Sequence, residues 1–142
     1  MPVTPSARVP AASGYVMTLL CFLVLMTGCS SVGPDLSMSG SAARRFHEAL
    51  ADNEAAACEL LAPTIRKELE QSAKSPCPQA LADAGLPDAT IVTTADVYDP
   101  NARVVMDGDT VFLARFGTQW KVTAAGCKAS PDLPYDCDVK GD

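Results

Sequence analysis

The chain is poor in the residues that usually carry chemistry. Among 142 residues it has one histidine, His47, and one tryptophan, Trp120. None of its six cysteines forms a Cys-x-x-Cys pair, and structural zinc sites need several Cys or His ligands at short paired spacings, so no metal is expected. No Gly-x-Ser-x-Gly, phosphate-loop, His-Glu-x-x-His or EF-hand pattern occurs. Asp107-Gly108-Asp109 puts two acids round a tight turn, which falls well short of a calcium loop. Bases are scarce too: 11 against 17 acids give a formal charge of −6. Such a surface repels phosphate backbones, so nucleic acid is not an expected partner. The uncharged run Gly14 to Met26 has 13 residues. That is short of the roughly 20 that cross a bilayer and within the roughly 7 to 15 of a signal-peptide core.

What ends that run is a thiol. Leu25 to Ser31 reads LMTGCSS, with Thr27 and Gly28 small and Cys29 directly after them. The pattern resembles the lipobox of bacterial lipoproteins. The resemblance implies that residues 1–28 are a cleaved lipoprotein signal peptide. Cys29 would then carry a thioether-linked diacylglyceryl group and become the first residue of the mature chain. Acyl burial is worth roughly 0.8 kcal/mol per methylene, and two chains on one residue give a lasting anchor where one holds only marginally. The expected address is the extracytoplasmic face of the cell membrane, with the membrane as partner through Cys29. The mature chain keeps all 17 acids and loses only Arg8 among the bases, for a formal charge of −7.

Residues 29–41 follow as the lipidated cysteine and a Ser- and Gly-rich stretch, SSVGPDLSMSGS. It has too few large apolar side chains to offset its ordering entropy, so it reads as a flexible tether. Residues 42–142 are expected to form one domain, since a little over 100 residues can bury one core. Four cysteines then remain: Cys58, Cys77, Cys127 and Cys137. Export to an oxidising compartment makes disulfides the default. Three pairings are open, and the local one, Cys58–Cys77 with Cys127–Cys137, is the expectation. Each local bridge would stabilise by roughly 3 kcal/mol.

Ala43, Phe46, Ala49 and Leu50 recur at helical spacing, with His47 at the border of the stripe, so a first helix is expected from Ala42. Asp52 and Asn53 suit a helix start, Ala56, Leu60 and Leu61 carry the next stripe, and Pro63 interrupts it. A charged segment over Thr64 to Ser72 and a short helix ended by Gly85 come next. Beyond Pro87 four β-branched and aromatic runs predict four strands: ATIVTTADVY, ARVVM, TVFLARF and QWKVTA. Asp107-Gly108 and Gly117-Thr118 mark reversals between them. Alternation assigns Ile91, Ala95 and Val97, then Phe112, Ala114 and Phe116, then Trp120 and Val122 to the face that meets the helices. Val111, Leu113 and Arg115 fall on the other face, and whether Val104 or Val105 points inward depends on the turn length.

Helices first and strands afterwards predict an α+β domain, N-terminal helices on an antiparallel sheet of about four strands. The run GDTVFLARFGTQWKVTAAGCKASPDLPYDC, preceded by ACELLAP at Ala57 to Pro63, resembles a group of small actinobacterial lipoproteins. That group is similar to the nuclear-transport-factor-two-like, or cystatin-like cone, fold. The likeness implies a curved, cone-like sheet and supplies an architecture more than an activity.

Cone folds of that kind host enzymes built on Asp with His or Tyr pairs, which makes His47, Asp96, Tyr98 and Asp99 the residues to weigh. His47 is expected at the surface or half-buried, Asp96 away from the interior, Asp99 in a turn before Pro100, and Tyr98 in packing. No catalytic residue and no cofactor is therefore assigned. The expected function is a membrane-anchored binding or interaction module, its partner an envelope protein or a small ligand. The mixed outer sheet face further suggests a weak homodimer. The alternative is a small pocket enzyme or hydrophobic-ligand carrier, and an inward-facing titratable pair in a cavity of several hundred Å³ would favour it.

Overall fold

The computed structural model describes residues 32–132 and 134–141. The signal segment and Cys29 lie outside the described residues. Among the described residues four helices, α1 Val32–Asp52, α2 Glu54–Leu60, α3 Pro63–Ala73 and α4 Cys77–Ala84, precede five strands. The strands are β1 Val92–Tyr98, β2 Asn101–Met106, β3 Thr110–Phe116, β4 Gln119–Lys128 and β5 Asp136–Val139. The fold is α+β, with one antiparallel meander in the order β1-β2-β3-β4-β5. The expected curl into a cone is not seen: the sheet stays open, with β1 and β5 as its edges.

The first helix corrects the tether. It starts at Val32, so from there to Ser41 the expected linker is three turns of α1. Composition misleads here because small side chains bury surface once a sheet lies against them. Ser39, Gly40, Ala42 and Ala43 are all buried, and their lack of bulk lets α1 lie close across the sheet, with the Gly40 backbone facing Val92. The Ser39 hydroxyl donates to the Leu36 carbonyl, 3.1 Å away, so its burial leaves no polar group unpaired. Pro34 sits in the first turn, where its missing N–H costs nothing. Asp35, also in that turn, meets Arg115 at 3.4 Å.

The remaining helix boundaries follow local chemistry. The Asn53 side chain accepts from the N–H groups of Ala55 and Ala56 and caps α2. Pro63 opens α3, and Gly85 closes α4 at φ 59°. Between α2 and α3 the chain joins the sheet, where the Ala62 N–H donates to the Val122 carbonyl at 2.8 Å.

Cross-strand register settles which residues face inward, because directly opposed residues share a face. Val97, Ala102, Leu113 and Val122 form one such row, and Ala95, Val104 and Val111 another. Val104, Val111, Leu113 and Val122 are all buried. The β3 assignment is thus inverted: Val111 and Leu113 meet the helices, whereas Phe112 and Ala114 lie on the outer face and Phe116 is exposed. On β1 a register shift between Val92 and Thr94 resets the parity that alternation assumes. On β3 the alternation is unbroken, but its inward row is the aliphatic one, while the inserted residue opposite Phe112 and Leu113 belongs to β4, between Val122 and Ala124. Ile91 falls before the β1 shift and is 62% exposed. Val104 rather than Val105 points inward, because Met106 and Asp109 close a two-residue turn, the Met106 N–H donating to the Asp109 carbonyl at 2.7 Å.

The core is apolar and filled: Phe46, Leu81, Leu113, Val104, Val111, Val122 and Val139 are its largest fully buried side chains. The fifth strand was unexpected. Asp136–Val139 pairs with the last residues of β4, and Cys127 stands directly opposite Cys137. The disulfides join Cys58 to Cys77, fastening α2 to α4, and Cys127 to Cys137, fastening β5 to β4.

Candidate functional site

The one buried ion pair among the described residues was not anticipated as a pair. His47, placed by its spacing at the border of the α1 stripe, is buried, its side chain only 3% exposed. Its Nε2 lies 3.0 Å from Asp109 Oδ2. Asp109 follows the β2–β3 turn, and its side chain is fully buried. The second strand ladder completes the arrangement. Gly126 N–H donates to Asp109 Oδ2 and Cys127 N–H to Oδ1, both at 3.0 Å. One carboxylate thereby ties the hairpin turn to α1 and to the part of β4 that carries the Cys127–Cys137 bridge.

That bonding pattern decides what the pair does. Two backbone N–H groups and the imidazole occupy Asp109, and backbone donors cannot be exchanged for substrate without opening β4. The Gly126 φ of +68° aims these N–H groups, a conformation an L side chain rarely adopts. The signal available in the sequence was Asp109 before Thr110 with Gly126-Cys127 far downstream, which no local pattern connects. The His47 ring also meets Phe46 edge-on, at 5.6 Å between centroids, and forms part of the floor of an open cleft of about 710 Å³ between α1, α4 and the α4–β1 connection. Glu48, Asp52 and Asp88 stand round that cleft.

The turn beside Asp109 is fixed from the other side. Asp107 Oδ1 accepts from the N–H groups of Thr90, 2.8 Å, and Ile91, 3.1 Å. The Ile91 bond, then the Thr90 bond, holds its carboxyl below the usual carboxylate range. Gly108 is needed here for space and not for a positive φ, since a Cβ at that position would overlap the Asp88 carbonyl oxygen.

The other weighed residues gather elsewhere, on and beside the outer face of the sheet. Asp96 pairs with Arg103, whose Nη2 lies 2.6 Å from Oδ2, and Arg103 Nη1 donates to the Tyr135 hydroxyl at 3.2 Å. Asp99 pairs with Arg115. Tyr98 is 63% exposed. Phe112 lies under Tyr135, ring centroids 4.9 Å apart, and with Tyr98, Arg103 and Pro134 they surround a shallow cleft of about 420 Å³. Structure thus places Asp96, Asp99 and Tyr98 far from His47, in ion pairs or in solvent. Among the described residues no group of three or more His, Cys, Asp or Glu is arranged to hold a metal ion, and no helix is long and apolar enough to cross a membrane. No protein-family model, curated protein or solved structure matches the chain.

Proposed function

We propose that the chain is an exported lipoprotein, anchored through Cys29 at the outer face of the cell membrane, whose domain acts as a binding or interaction module for an envelope protein or a small ligand. The observation that carries the address is the Thr27-Gly28-Cys29 ending of a 13-residue apolar run on a chain whose later cysteines are all paired in disulfides. Paired cysteines fit an oxidising compartment, and the likeness of the carboxy-terminal run to small actinobacterial lipoproteins agrees with it.

Binding is favoured over catalysis by the state of the titratable groups. The buried His47–Asp109 pair is occupied by backbone donors, and buried apolar side chains cluster between helices and sheet. The alternative enzyme reading draws on one feature, the presence of His47 on the floor of the 710 Å³ cleft. Crosslinking in the native host followed by purification tests the module. A specific envelope protein or small molecule recovered with the wild-type chain supports it. Turnover of a recovered small molecule, lost in His47→Gln while binding remains, would establish the enzyme instead.

A further inference from the structure

The outer edge of β1 carries backbone groups that the sheet leaves unpaired. The Met106 N–H donates to the Asp109 carbonyl at 2.7 Å and the Arg115 N–H to the Pro100 carbonyl at 2.8 Å. Alternation between these points turns Ala102, Val104 and Met106 toward β3, and Asn101, Arg103 and Val105 toward β1. Their partners Tyr98, Asp96 and Thr94 bond inward to β2, which leaves the N–H and C=O of Ala95 and Val97 pointing away from the sheet. No strand lies beyond β1, and among the described residues no turn or loop backbone bonds to these groups. Sheet edges are normally blunted by shortness, Lys, Pro or dense charge. The other edge, β5, has only four residues, with Asp136 and Asp138 among them. β1 has seven, without Lys or Pro, and its one charge, Asp96, is paired with Arg103. Only the bulge at Thr93 interrupts it, and Thr94 and Tyr98 are exposed.

We propose that β1 is the contact by which two copies of this chain pair, antiparallel about a two-fold axis through Ala95. Such an axis sets each residue opposite the one equally far beyond it in the second copy. Ala95 is the middle residue of the strand, and there both outward backbone groups meet their own counterparts in a hydrogen-bonded pair. The next pair sets Thr94 opposite Asp96 on the outer face of the joined sheet. Arg103 Nε and Nη2 both bond Asp96 Oδ2, so Oδ1 is left to accept from the Thr94 hydroxyl of the second copy. Val97 falls opposite Thr93, where the bulge ends the pairing. An axis at Asp96 would set that carboxylate against itself, which like charges disfavour, and one at Thr94 would bring Ala95 onto the bulge. A half-step between residues would put facing side chains on opposite sides of the sheet. The weak dimer expected from the mixed outer face is thereby moved to the sheet's edge, and the inference uses neither the lipid anchor nor the module's ligand.

So small a contact predicts a dissociation constant on the order of 0.1 mM. Sedimentation equilibrium of the full chain in density-matched non-ionic detergent measures the dimer, and water-exchange rates of backbone amides in ¹H–¹⁵N spectra locate it. Between roughly 0.1 and 1 mM chain, exchange of the Ala95 N–H should slow about two- to threefold by mass action. Thr94→Lys, which sets an ammonium opposite Asp96 of the second copy, should tighten the dimer about fivefold, and Thr94→Asp should weaken it about fivefold, since symmetry makes each change act twice. Thr118→Lys, the same charge change at an exposed position in the β3–β4 turn, should alter it little. A chain that stays monomeric at roughly 1 mM, a dimer with unchanged Ala95 exchange, or Thr94→Lys and Thr118→Lys acting alike overturns the proposal. So does a chain that is monomeric alone and protects Ala95 only on an envelope protein, which would assign the edge to a foreign strand. None of these outcomes depends on whether Cys29 carries lipid, so the anchor stands or falls separately.

Discussion

Replacing Asp109 with alanine should cost this domain more than any other single surface-to-core polar contact in it. The carboxylate accepts from Gly126 and Cys127 N–H and meets His47 Nε2, each at 3.0 Å, and its side chain is fully buried. Truncation leaves three buried partners unpaired, at roughly 1–3 kcal/mol each before relaxation. With water entering the space, a loss of about 4 kcal/mol is expected. A domain of this size holds roughly 5–15 kcal/mol in total, so the melting temperature should fall by about 20 °C. Asp109→Asn keeps the shape but turns one acceptor into a donor and should lose roughly half as much. Urea unfolding followed by circular dichroism, disulfides intact, measures both by linear extrapolation. His47→Ala should cost less in the Asp109→Ala background than alone, since the two share one contact. A loss below about 1 kcal/mol for Asp109→Ala would refute the claim that this carboxylate fastens the hairpin to β4.

Other expectations test the same construction. The carboxyl of Asp107 is held below its ordinary value by the Ile91 and Thr90 N–H groups. Its stabilising contribution is therefore present above the unfolded carboxylate value of about 4 and lost as pH falls through the lower folded value; Asp107→Asn should abolish that dependence, and urea midpoints of the two chains should converge in acid. Gly108→Ala should destabilise by roughly 2 kcal/mol or more through backbone overlap with Asp88, while Gly33→Ala, with open space around it, should not, as paired thermal melts would report. Replacing Cys58 and Cys77 together by serine should lose roughly 3 kcal/mol in the same urea assay.

Where the sequence was informative, the informative residues acted locally. Asn53, Pro63 and Gly85 mark helix ends by their own hydrogen-bonding and φ preferences, and each marks one in the fold. The four β-branched runs became strands because their composition suits a half-buried pleat. Strand faces were less legible: the residue inserted at the Val92–Thr94 shift turns Ile91 outward although Ala95 and Val97 face the helices, and on β3 the aliphatic Val111 and Leu113, not the aromatic Phe112 and Phe116, form the inward row. The Ser39-Gly40 stretch misled for another reason: small side chains look like a linker until a sheet lies against them. β5 has only four residues and takes its form from the partner strand and the Cys127–Cys137 bridge, not from its own propensity. The His47–Asp109 contact spans 62 positions, and the unpaired edge of β1 depends on which strands lie beside it, so neither could be read before the chain was folded.

The central claim is that this disulfide-fastened domain is held to a membrane by a lipid on Cys29. Intact-mass and tandem mass spectrometry of the protein isolated from native membranes tests it directly. The expected species begins at residue 29 with a diacylglyceryl thioether on its sulfur. A chain that retains residues 1–28 and bears a free thiol at position 29 would contradict it.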